Sequence, residues 1–541
     1  MCIFAIGNEI EQNPLADEVF YPFSGPLYLV AKPASSTCNM RCAYCYYLEK
    51  SAYYPSSGRK VMDPAMLETF ISGFIASQNT PDVLFNWHGG EPLLCGLDFF
   101  RKAVEWQKRY GRGHRIINTI QTNGTLLDAQ WCDFFRENGF LVGISLDGPR
   151  ECHDRYRRMA GGDASFDAVM RGIEALRTAG VEFNILCTVN DYNACRPLEV
   201  YEFFKGLGTQ FVQFTPVVER LDPQGGLLSG DQAGGVLTPW SVRPKDWGQF
   251  LTDIFFRWVK NDVGDFFVNV FDATLAGYVG VDPGNCYFAR SCGHALALEY
   301  NGDVYACDHY VFPRYRLGNL RDTPLRTLSA LPFQQAFGAG KTANLPRECL
   351  ACRYRSLCNG ECPKNRIVET GEKGRRLNYL CRGYKHFFAR TEPYFRFMAS
   401  ELAAGRNGVL APIYLELVKV RNQYAASKGY DDYVQYDYQT VYGRDYTPEE
   451  AALLHRAVKA LLPRLESELL IAQSRLSSLS PVRLSSLEDM TQEEVLDAVE
   501  PYMDAVSSEY RELYGYMRDN GLYDLDILAS SSTLGRITPP R

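Results

Sequence analysis

The feature that most limits the fold of this chain is a series of short apolar runs, each followed by a helical pattern, along its first half. The segments between the runs repeat apolar residues at helical spacing, and the helix predicted over 165–180 ends at a C-cap glycine. Such units in series predict a parallel sheet with outer helices, here a partial (β/α)6 barrel with its functional residues at the carboxyl ends of the strands. The six predicted strands are 26–34, 82–90, 116–124, 140–148, 181–189 and 211–218.

Composition excludes several classes of protein. With 541 residues the chain should contain more than one domain, because single cores stop growing at about 250–300 residues. A formal net charge of −7 predicts no nucleic-acid partner, and no apolar run is long enough to span a membrane. Residues 1–24 lack the basic start of a signal peptide and are interpreted as a tail. Seventeen cysteines, many closely spaced, are typical of a cytoplasmic metal or redox protein.

Three cysteines follow the first predicted strand directly. Cys38, Cys42 and Cys45 form the pattern C-x3-C-x2-C. A cubane [4Fe–4S] cluster normally takes four thiolates, so three leave one iron open, and an open metal position is typical of a catalytic site. That iron can chelate a small molecule through an amine and a carboxylate. The alternative is a zinc knuckle with a distant fourth ligand.

A second set of eight cysteines lies further along the chain. Eight thiolates are enough for two fully ligated clusters. A pair of zinc ribbons is the competing interpretation, although the spacing after Cys352 is irregular for zinc sites. The eight are Cys286, Cys292, Cys307, Cys349, Cys352, Cys358, Cys362 and Cys381. We expect buried thiols at the other six, Cys2, Cys95, Cys132, Cys152, Cys187 and Cys195.

One carboxylate beside these cysteines is a candidate general base. The alternation around Asn301-Gly302 predicts a hairpin. On its returning strand Cys307 and Asp308 should point to opposite faces, so Asp308 can face a substrate when Cys307 binds a cluster. We expect burial and the negative charge of that cluster to raise the pKa of Asp308. The alternative is an ordinary solvated aspartate.

The cysteine loop, with aromatic Tyr44 before its last cysteine and HGGEP at 88–92, resembles the radical S-adenosylmethionine (SAM) superfamily. The resemblance implies that the HGGEP loop meets the amino group of SAM. It also implies SAM contacts from QTNGT (121–125), from Ser145 and Arg157, and from Val212 beside the adenosine. The implied SAM-binding residues are Tyr44, Gly89, Gly90, Glu91, Gln121, Asn123, Ser145, Arg157 and Val212.

The eight late cysteines resemble a SPASM domain, the auxiliary-cluster module of radical SAM peptide modifiers. That resemblance implies three [4Fe–4S] clusters in all. Cys286, Cys292, Cys307 and Cys362 would hold the first auxiliary cluster. Cys349, Cys352, Cys358 and Cys381 would hold the second.

Across its first 400 residues the chain is similar to the anaerobic sulfatase-maturating enzymes, on the segments TCNMRCAYCYYLEK, NWHGGEPL, IQTNGTLL, ISLDGP and CNGECPKNR. The resemblance implies oxidation of a cysteine or serine in a C/S-x-P-x-R sulfatase motif to Cα-formylglycine, with release of methionine and 5′-deoxyadenosine. Asp308 would be the base. The implied partners are a nascent or unfolded sulfatase and a low-potential electron donor such as ferredoxin or flavodoxin.

Two other functions compete with this one. A SPASM-type maturase making thioether or carbon–carbon links in a ribosomal peptide would be expected to carry a precursor-binding domain ahead of the barrel. Only about twenty-five residues precede the first predicted strand. A non-catalytic iron–sulfur electron carrier would leave the open iron and the HGGEP loop without a purpose.

The end of the chain follows a different pattern. Residues 417–541 are predicted to be helical and resemble a fragment of oligoendopeptidase-type metallopeptidases. None of the seven histidines is followed by Glu, so the H-E-x-x-H zinc motif is missing and no peptidase activity is expected. The predicted organisation is a tail (1–24), the barrel (25–240), a helical connection (241–283), the SPASM domain (284–400), a linker (401–416) and the helical extension (417–541), whose end we expect to be disordered.

Overall fold

The computed structural model describes residues 26–54, 60–228, 230 and 232–403, all within one compact unit. The predicted tail (1–24), the extension (417–541) and nearly all of the linker (401–416) lie outside the described residues. None of the described helices is long and apolar enough to cross a membrane.

The first half of the chain folds into the predicted parallel strands and outer helices. Its strands are β1 (Tyr28–Lys32), β2 (Asp82–Trp87), β3 (Arg115–Thr122), β4 (Phe140–Ser145), β5 (Phe183–Val189) and β6 (Phe211–Pro216). Its helices are α1 (Pro64–Ala76), α2 (Leu97–Tyr110), α3 (Ala129–Glu137), α4 (Arg150–Asp154), α5 (Phe166–Ala179) and α6 (Pro197–Lys205). Neighbouring strands from β1 to β6 pair in parallel and in chain order.

Side chains at the helix ends set where these helices begin and stop. Asp63 caps α1 by accepting the backbone N–H of Met66 (2.8 Å), a contact worth roughly 0.5–2 kcal/mol. Gly180 ends α5 in the left-handed conformation, with φ of 68°. This confirms the predicted C-cap.

Aromatic side chains fill the layer between the sheet and the outer helices. Phe70 of α1 and Phe100 of α2 both pack edge-on against Trp87 of β2, with ring centroids 5.7 and 5.5 Å away. All three are almost fully buried, and each such side chain stabilises the fold by about 1.5–3 kcal/mol. The indole of Trp87 donates to Asn118 (2.8 Å), so its one polar group is satisfied.

The second half of the chain extends the same sheet. Its strands are β7 (Arg220–Leu221), β8 (Val236–Leu237), β9 (Phe267–Val268), β10 (Ala295–Glu299), β11 (Asp303–Tyr305), β12 (Arg316–Asn319), β13 (Arg366–Glu369) and β14 (Arg376–Asn378). Its helices are α7 (Pro244–Asn261), α8 (Asn269–Val279), α9 (Leu325–Ser329), α10 (Pro332–Ala343), α11 (Arg347–Leu350), α12 (Arg355–Cys358) and α13 (Cys381–Ala403). The main sheet has ten strands in the order β12-β11-β10-β1-β2-β3-β4-β5-β6-β9.

The pairing of β10 with β1 joins the cysteine-rich region to the barrel. The two strands are parallel, and Lys32 at the end of β1 pairs with Glu299 at the end of β10. The predicted hairpin is confirmed, because β10 and β11 are antiparallel and Gly302 between them has φ of 93°. This register brings the segment after β11 over the carboxyl end of β1.

A glycine pair lets the last described helix cross α7 closely. A Cβ on Gly248 of α7 would lie 2.6 Å from the carbonyl oxygen of Gly383 in α13. A Cβ on Gly383 would lie 2.2 Å from the carbonyl oxygen of Pro244. The crossing therefore excludes any side chain at these two positions, and it fixes α13, which begins at Cys381, against the barrel.

Candidate active site

The structure brings Cys38, Cys42 and Cys45 together in the loop after β1. Burial, with a smaller effect of the neighbouring thiols, raises the pKa of Cys38 to about 11 and that of Cys42 to about 12. A thiol must lose its proton to bind iron, so the metal itself has to stabilise these thiolates. In a cubane each thiolate binds a different iron atom. No three His, Cys, Asp or Glu side chains in the described part of the chain are placed to share a single metal ion.

Residues 39–43 of this loop pair with residues 156–160 as a short antiparallel ribbon, which we call the cysteine ribbon. Met40 and Met159 form its central bridge. Its backbone hydrogen bonds run from Arg41 N to Arg158 O (2.8 Å), from Ala43 N to Tyr156 O (3.0 Å) and from Ala160 N to Asn39 O (2.9 Å). The loop is therefore held on one side by the segment that follows α4.

The HGGEP loop holds the other side of the cysteine loop. The backbone N–H of Gly90 donates to the carbonyl of Ser35 (2.6 Å), and that of Glu91 donates to Thr37 (2.8 Å). A Cβ on Gly90 would lie 2.2 Å from the carbonyl oxygen of Thr37, and Gly89 has φ of 139°. The close approach that these glycines permit is thus to the cysteine loop itself, whereas the sequence suggested an approach to a ligand.

Glu91, predicted as a SAM contact, is occupied by the protein. Its carboxylate is fully buried and accepts hydrogen bonds from the backbone N–H of Leu93 (3.0 Å), the hydroxyl of Thr122 (2.8 Å) and the backbone N–H of Asn123 (2.8 Å). Burial raises the pKa of Glu91 to about 7, against these hydrogen bonds. In this arrangement it ties the end of β2 to the end of β3.

Three other predicted SAM contacts lie at the carboxyl ends of β3 and β4. The amide of Gln121 donates to the hydroxyl of Ser145 (2.9 Å) across the two strands. The amide of Asn123 donates to Asn39 (2.8 Å) and reaches the sulfur of Cys38 (3.7 Å). Together these three side chains form a polar surface beside the cysteine loop.

The structure places Val212 away from the other predicted SAM contacts. It was expected beside the adenosine, but it is the second residue of β6, away from the carboxyl end of the strand, and is 2 % exposed. The register pairs Ser145 with Leu186 and Leu186 with Gln213, so Gln213 shares the face of Ser145 and Val212 points to the opposite face. Val212 therefore belongs to the core between the sheet and the helices.

Arg157 and Tyr44 meet on one buried aspartate. The guanidinium of Arg157 pairs with Asp147 (3.0 Å), and the hydroxyl of Tyr44 donates to the same carboxylate. Asp147 also accepts the backbone N–H of Thr188 (2.9 Å). The group links the cysteine loop to β4 and β5.

Asp308 lies directly after Cys307, in a short turn beyond β11. Its carboxylate forms an ion pair with Lys32, whose side chain is fully buried at the end of β1. The hydroxyl of Tyr46, from the cysteine loop, donates to its other oxygen (2.5 Å). One carboxylate thus contacts both the first strand and the cysteine loop.

The protein's own groups lower the pKa of Asp308, whereas burial and the charge of a cluster were expected to raise it. Burial does raise it, but the ammonium of Lys32 is foremost among the groups that lower it. The net pKa lies below that of an ordinary aspartate, so the group is ionised. Lys32 stands out as a lysine within an apolar strand run, but nothing local in the sequence connects it to Asp308.

Two further groups beside Lys32 were not predicted, the partly buried His88 and the fully buried Glu299. The ring Nδ1 of His88 accepts the backbone N–H of Gly89 (2.8 Å), and burial lowers the pKa of His88 to about 4. His88 is therefore neutral near pH 7, with its proton on Nε2. The carboxylate of Glu299 accepts the hydroxyl of Tyr47, whose ring lies 4.0 Å from the ammonium of Lys32.

The eight late cysteines form two groups of four. Burial raises the pKa of Cys307, and so do its neighbours, the thiols of Cys286, Cys362 and Cys292. The second group lines a single cavity and consists of Cys349, Cys352, Cys358 and Cys381. Both groups have the members that the sequence assigned to the two auxiliary clusters, and four thiols each suit a fully ligated cubane.

Of the six remaining cysteines, Cys95, Cys132, Cys152 and Cys187 are buried as expected. Cys195 is exposed, which corrects the prediction, because it lies in the turn before α6 rather than in the core. Cys2 lies outside the described residues.

Comparison with known protein families agrees with this arrangement. Residues 33–204 match the Radical SAM superfamily, and residues 286–353 match an iron–sulfur cluster-binding domain. The serine-type anaerobic sulfatase-maturating enzyme of Bacteroides thetaiotaomicron is 49% identical over 387 residues, which is 71% of this chain and 94% of that protein. The chain belongs to the anaerobic sulfatase-maturating enzymes.

Other relatives in the anaerobic sulfatase-maturating enzyme family are more distant. A cysteine-type enzyme of Clostridium perfringens is 34% identical over 68% of this chain and 97% of its own length. The solved structure titled "Native anSMEcpe with bound AdoMet and Cp18Cys peptide" shares 34% identity, with a TM-score of 0.62 over 70% of this chain and 99% of that one. A family member of this kind is a SAM-dependent iron–sulfur enzyme.

Proposed function

We infer that this protein oxidises a cysteine or serine in a C/S-x-P-x-R motif of a sulfatase polypeptide to Cα-formylglycine without oxygen, with SAM as the oxidant. The observation that carries this inference is Asp308, an ionised carboxylate next to the auxiliary ligand Cys307 and in contact with the cysteine loop through Tyr46. Two solved structures that are 34% identical to this chain, and whose titles name a bound peptide, support a polypeptide substrate. Because the cytoplasm keeps thiols reduced, we propose that the reaction occurs there.

The residues present fit three [4Fe–4S] clusters. Three thiols after β1 would hold a cluster with one open iron, and the two groups of four would hold two closed ones. For SAM, we propose polar contacts from Gln121, Asn123 and Ser145, whose side chains line the carboxyl ends of β3 and β4. Tyr44 and Arg157, which both contact Asp147, would line another side of the space for SAM.

The chain contributes a base and a means of holding it in position. When bound, the clusters and SAM supply the one-electron chemistry that removes a hydrogen atom from the substrate Cβ. Asp308 then accepts the thiol or hydroxyl proton of the substrate. Lys32 keeps that carboxylate ionised and in place, and Tyr46 orients its other oxygen. Neutral His88 offers its Nε2–H as a hydrogen-bond donor in the same region.

An anaerobic assay with two peptides tests the function. Reconstituted protein is incubated with SAM, dithionite and peptides that carry C-T-P-S-R or S-T-P-S-R, and the products are measured by mass spectrometry. Formylglycine on either peptide supports the proposal, and the ratio of the two yields gives the target preference. SAM cleavage with a cross-linked peptide, or without any peptide product, would contradict it.

A further inference from the structure

The outer face of the cysteine ribbon carries three exposed arginines. Arg41 lies between two of the predicted ligands, Cys38 and Cys42, and Arg155 and Arg158 lie on the partner segment or just before it. None of the three forms an ion pair with any residue in the described part of the chain. We call these three the ribbon arginines.

The arrangement of the ribbon arginines is unfavourable for stability alone. The bridge between Met40 and Met159 puts Arg41 directly opposite Arg158. Side chains directly opposite in an antiparallel pair leave the same face, and like charges there are destabilising. A solvated surface selected only for stability would carry an acid at one of these positions.

The third arginine is held in place by aromatic rings. The guanidinium of Arg155 lies 5.6 Å from the ring of Tyr156 and 5.5 Å from that of Tyr192. Stacking of this kind limits side-chain motion and leaves the charge exposed. The hydroxyl of Tyr156 is in turn fixed by Asp191 (2.7 Å).

Resting on the proposed function, we propose that the ribbon arginines form the docking surface for an acidic one-electron carrier protein, which delivers the electron that SAM cleavage consumes. The transfer moves one electron and no atoms: the reduced carrier is oxidised, and the cluster ligated by Cys38, Cys42 and Cys45 is reduced by the same electron. The chain as a whole has a net charge of −7, so an acidic carrier is repelled except where cations are concentrated. The ribbon concentrates them beside the cysteine loop, where Arg41 directly precedes the predicted ligand Cys42.

Charge reversal with a matched control tests the proposal. The test variant combines Arg41→Glu, Arg155→Glu and Arg158→Glu in the full-length holoenzyme. The control combines Lys108→Glu, Arg109→Glu and Arg112→Glu, three exposed cations without ion pairs to described residues, at the amino-terminal edge of the sheet. A third variant, with Lys at all three ribbon positions, keeps the charge. Anaerobic binding of a purified acidic flavodoxin is measured by biolayer interferometry at low and high salt.

We expect the test variant to bind flavodoxin roughly tenfold or more weakly at low salt, with a flattened salt dependence. The control and lysine variants should bind like the wild type. With dithionite as reductant, all variants should cleave SAM and form formylglycine at wild-type rates. Formylglycine formation with dithionite tests the proposed function separately, because it needs no carrier.

Three results would overturn the docking proposal. The first is unchanged flavodoxin affinity in the test variant. The second is an equal loss in the control variant, which would show that only overall charge matters. The third is a raised KM for the sulfatase peptide in the dithionite assay, which would show that the ribbon arginines bind the polypeptide instead.

Discussion

At the scale of single residues, the ion pair of Lys32 with Asp308 determines what the candidate base can do. Removing a carboxylate from water, away from any cation, raises its pKa and favours the protonated form, which cannot accept a proton. Lys32 prevents this at the price of a buried lysine, and both charges are satisfied only while they remain paired. The pair therefore links the first strand to the chemistry, although the two residues lie far apart in sequence.

Asp308→Asn should separate SAM cleavage from substrate oxidation. The amide keeps the shape of the side chain but cannot accept a proton, so formylglycine yield should fall by about 10² or more, while 5′-deoxyadenosine still forms. A serine peptide should lose more than a cysteine peptide, because a thiol ionises near pH 8.5 and an alcohol has no comparable ionisation. Both products are quantified by mass spectrometry at equal iron content. Wild-type yields on both peptides would remove Asp308 from the mechanism.

At the scale of single elements, the two loops at the carboxyl ends of β1 and β2 are one structural unit. Gly90 packs against the backbone of Thr37 with no room for a side chain. The cysteine ribbon holds the opposite side of the same loop. Thiol positions are thus set by backbone contacts on both sides of the loop. A small change in either contact should therefore displace the cysteine side chains.

Gly90→Ala should displace the cysteine loop. Its Cβ would come within 2.2 Å of the carbonyl oxygen of Thr37, so one backbone has to move. Reconstituted protein should lose about four iron atoms and SAM cleavage, while the eight late cysteines keep theirs. Gly73→Ala is the matched control, because its Cβ meets nothing within 4 Å, and in a helix alanine should stabilise by about 0.5–1 kcal/mol. Full iron content in Gly90→Ala would show that the cysteine loop can move to accommodate the Cβ and still bind its cluster.

Replacing Cys38, Cys42 and Cys45 together by Ala tests the open-iron cluster directly. The intact protein should hold about twelve iron atoms, and the variant about eight, with no SAM cleavage. Iron analysis and a cleavage assay on the same preparation check this. A variant that still cleaves SAM would contradict the assignment.

At the scale of the whole molecule, the barrel and the cysteine-rich region share one ten-stranded sheet. Every proposed ligand and catalytic residue lies before Gly383. Truncation after about residue 405, at the end of the described part of the chain, should therefore leave formylglycine formation largely intact. Activity is compared at equal iron content. A soluble, fully loaded truncation without activity would show that residues 406–541 contribute to catalysis.

Sequence patterns predicted much of this architecture, and their failures have physical causes. The strands and the Asn301-Gly302 hairpin follow from local composition and spacing, whereas the two cysteine groups were implied by the resemblance to SPASM domains. The assignment of Val212 fails because this residue is near the start of β6 and on the face opposite Ser145, and local sequence does not show which face of a strand meets a ligand. The Lys32–Asp308 pair depends on the pairing of β10 with β1, and no local sequence signal predicts that pairing.

The pairing of β10 with β1 also affects how the chain folds during its synthesis. During synthesis at about 5–20 residues per second, β1 emerges many seconds before β10 exists. Until then β1 is an unpaired sheet edge, open to aggregation, and Lys32 has neither Glu299 nor Asp308 beside it. The barrel can close on that side only after the hairpin is translated. Synthesis that stops before the hairpin should therefore yield an aggregation-prone fragment, bound by chaperones or degraded by proteases, rather than a stable isolated barrel.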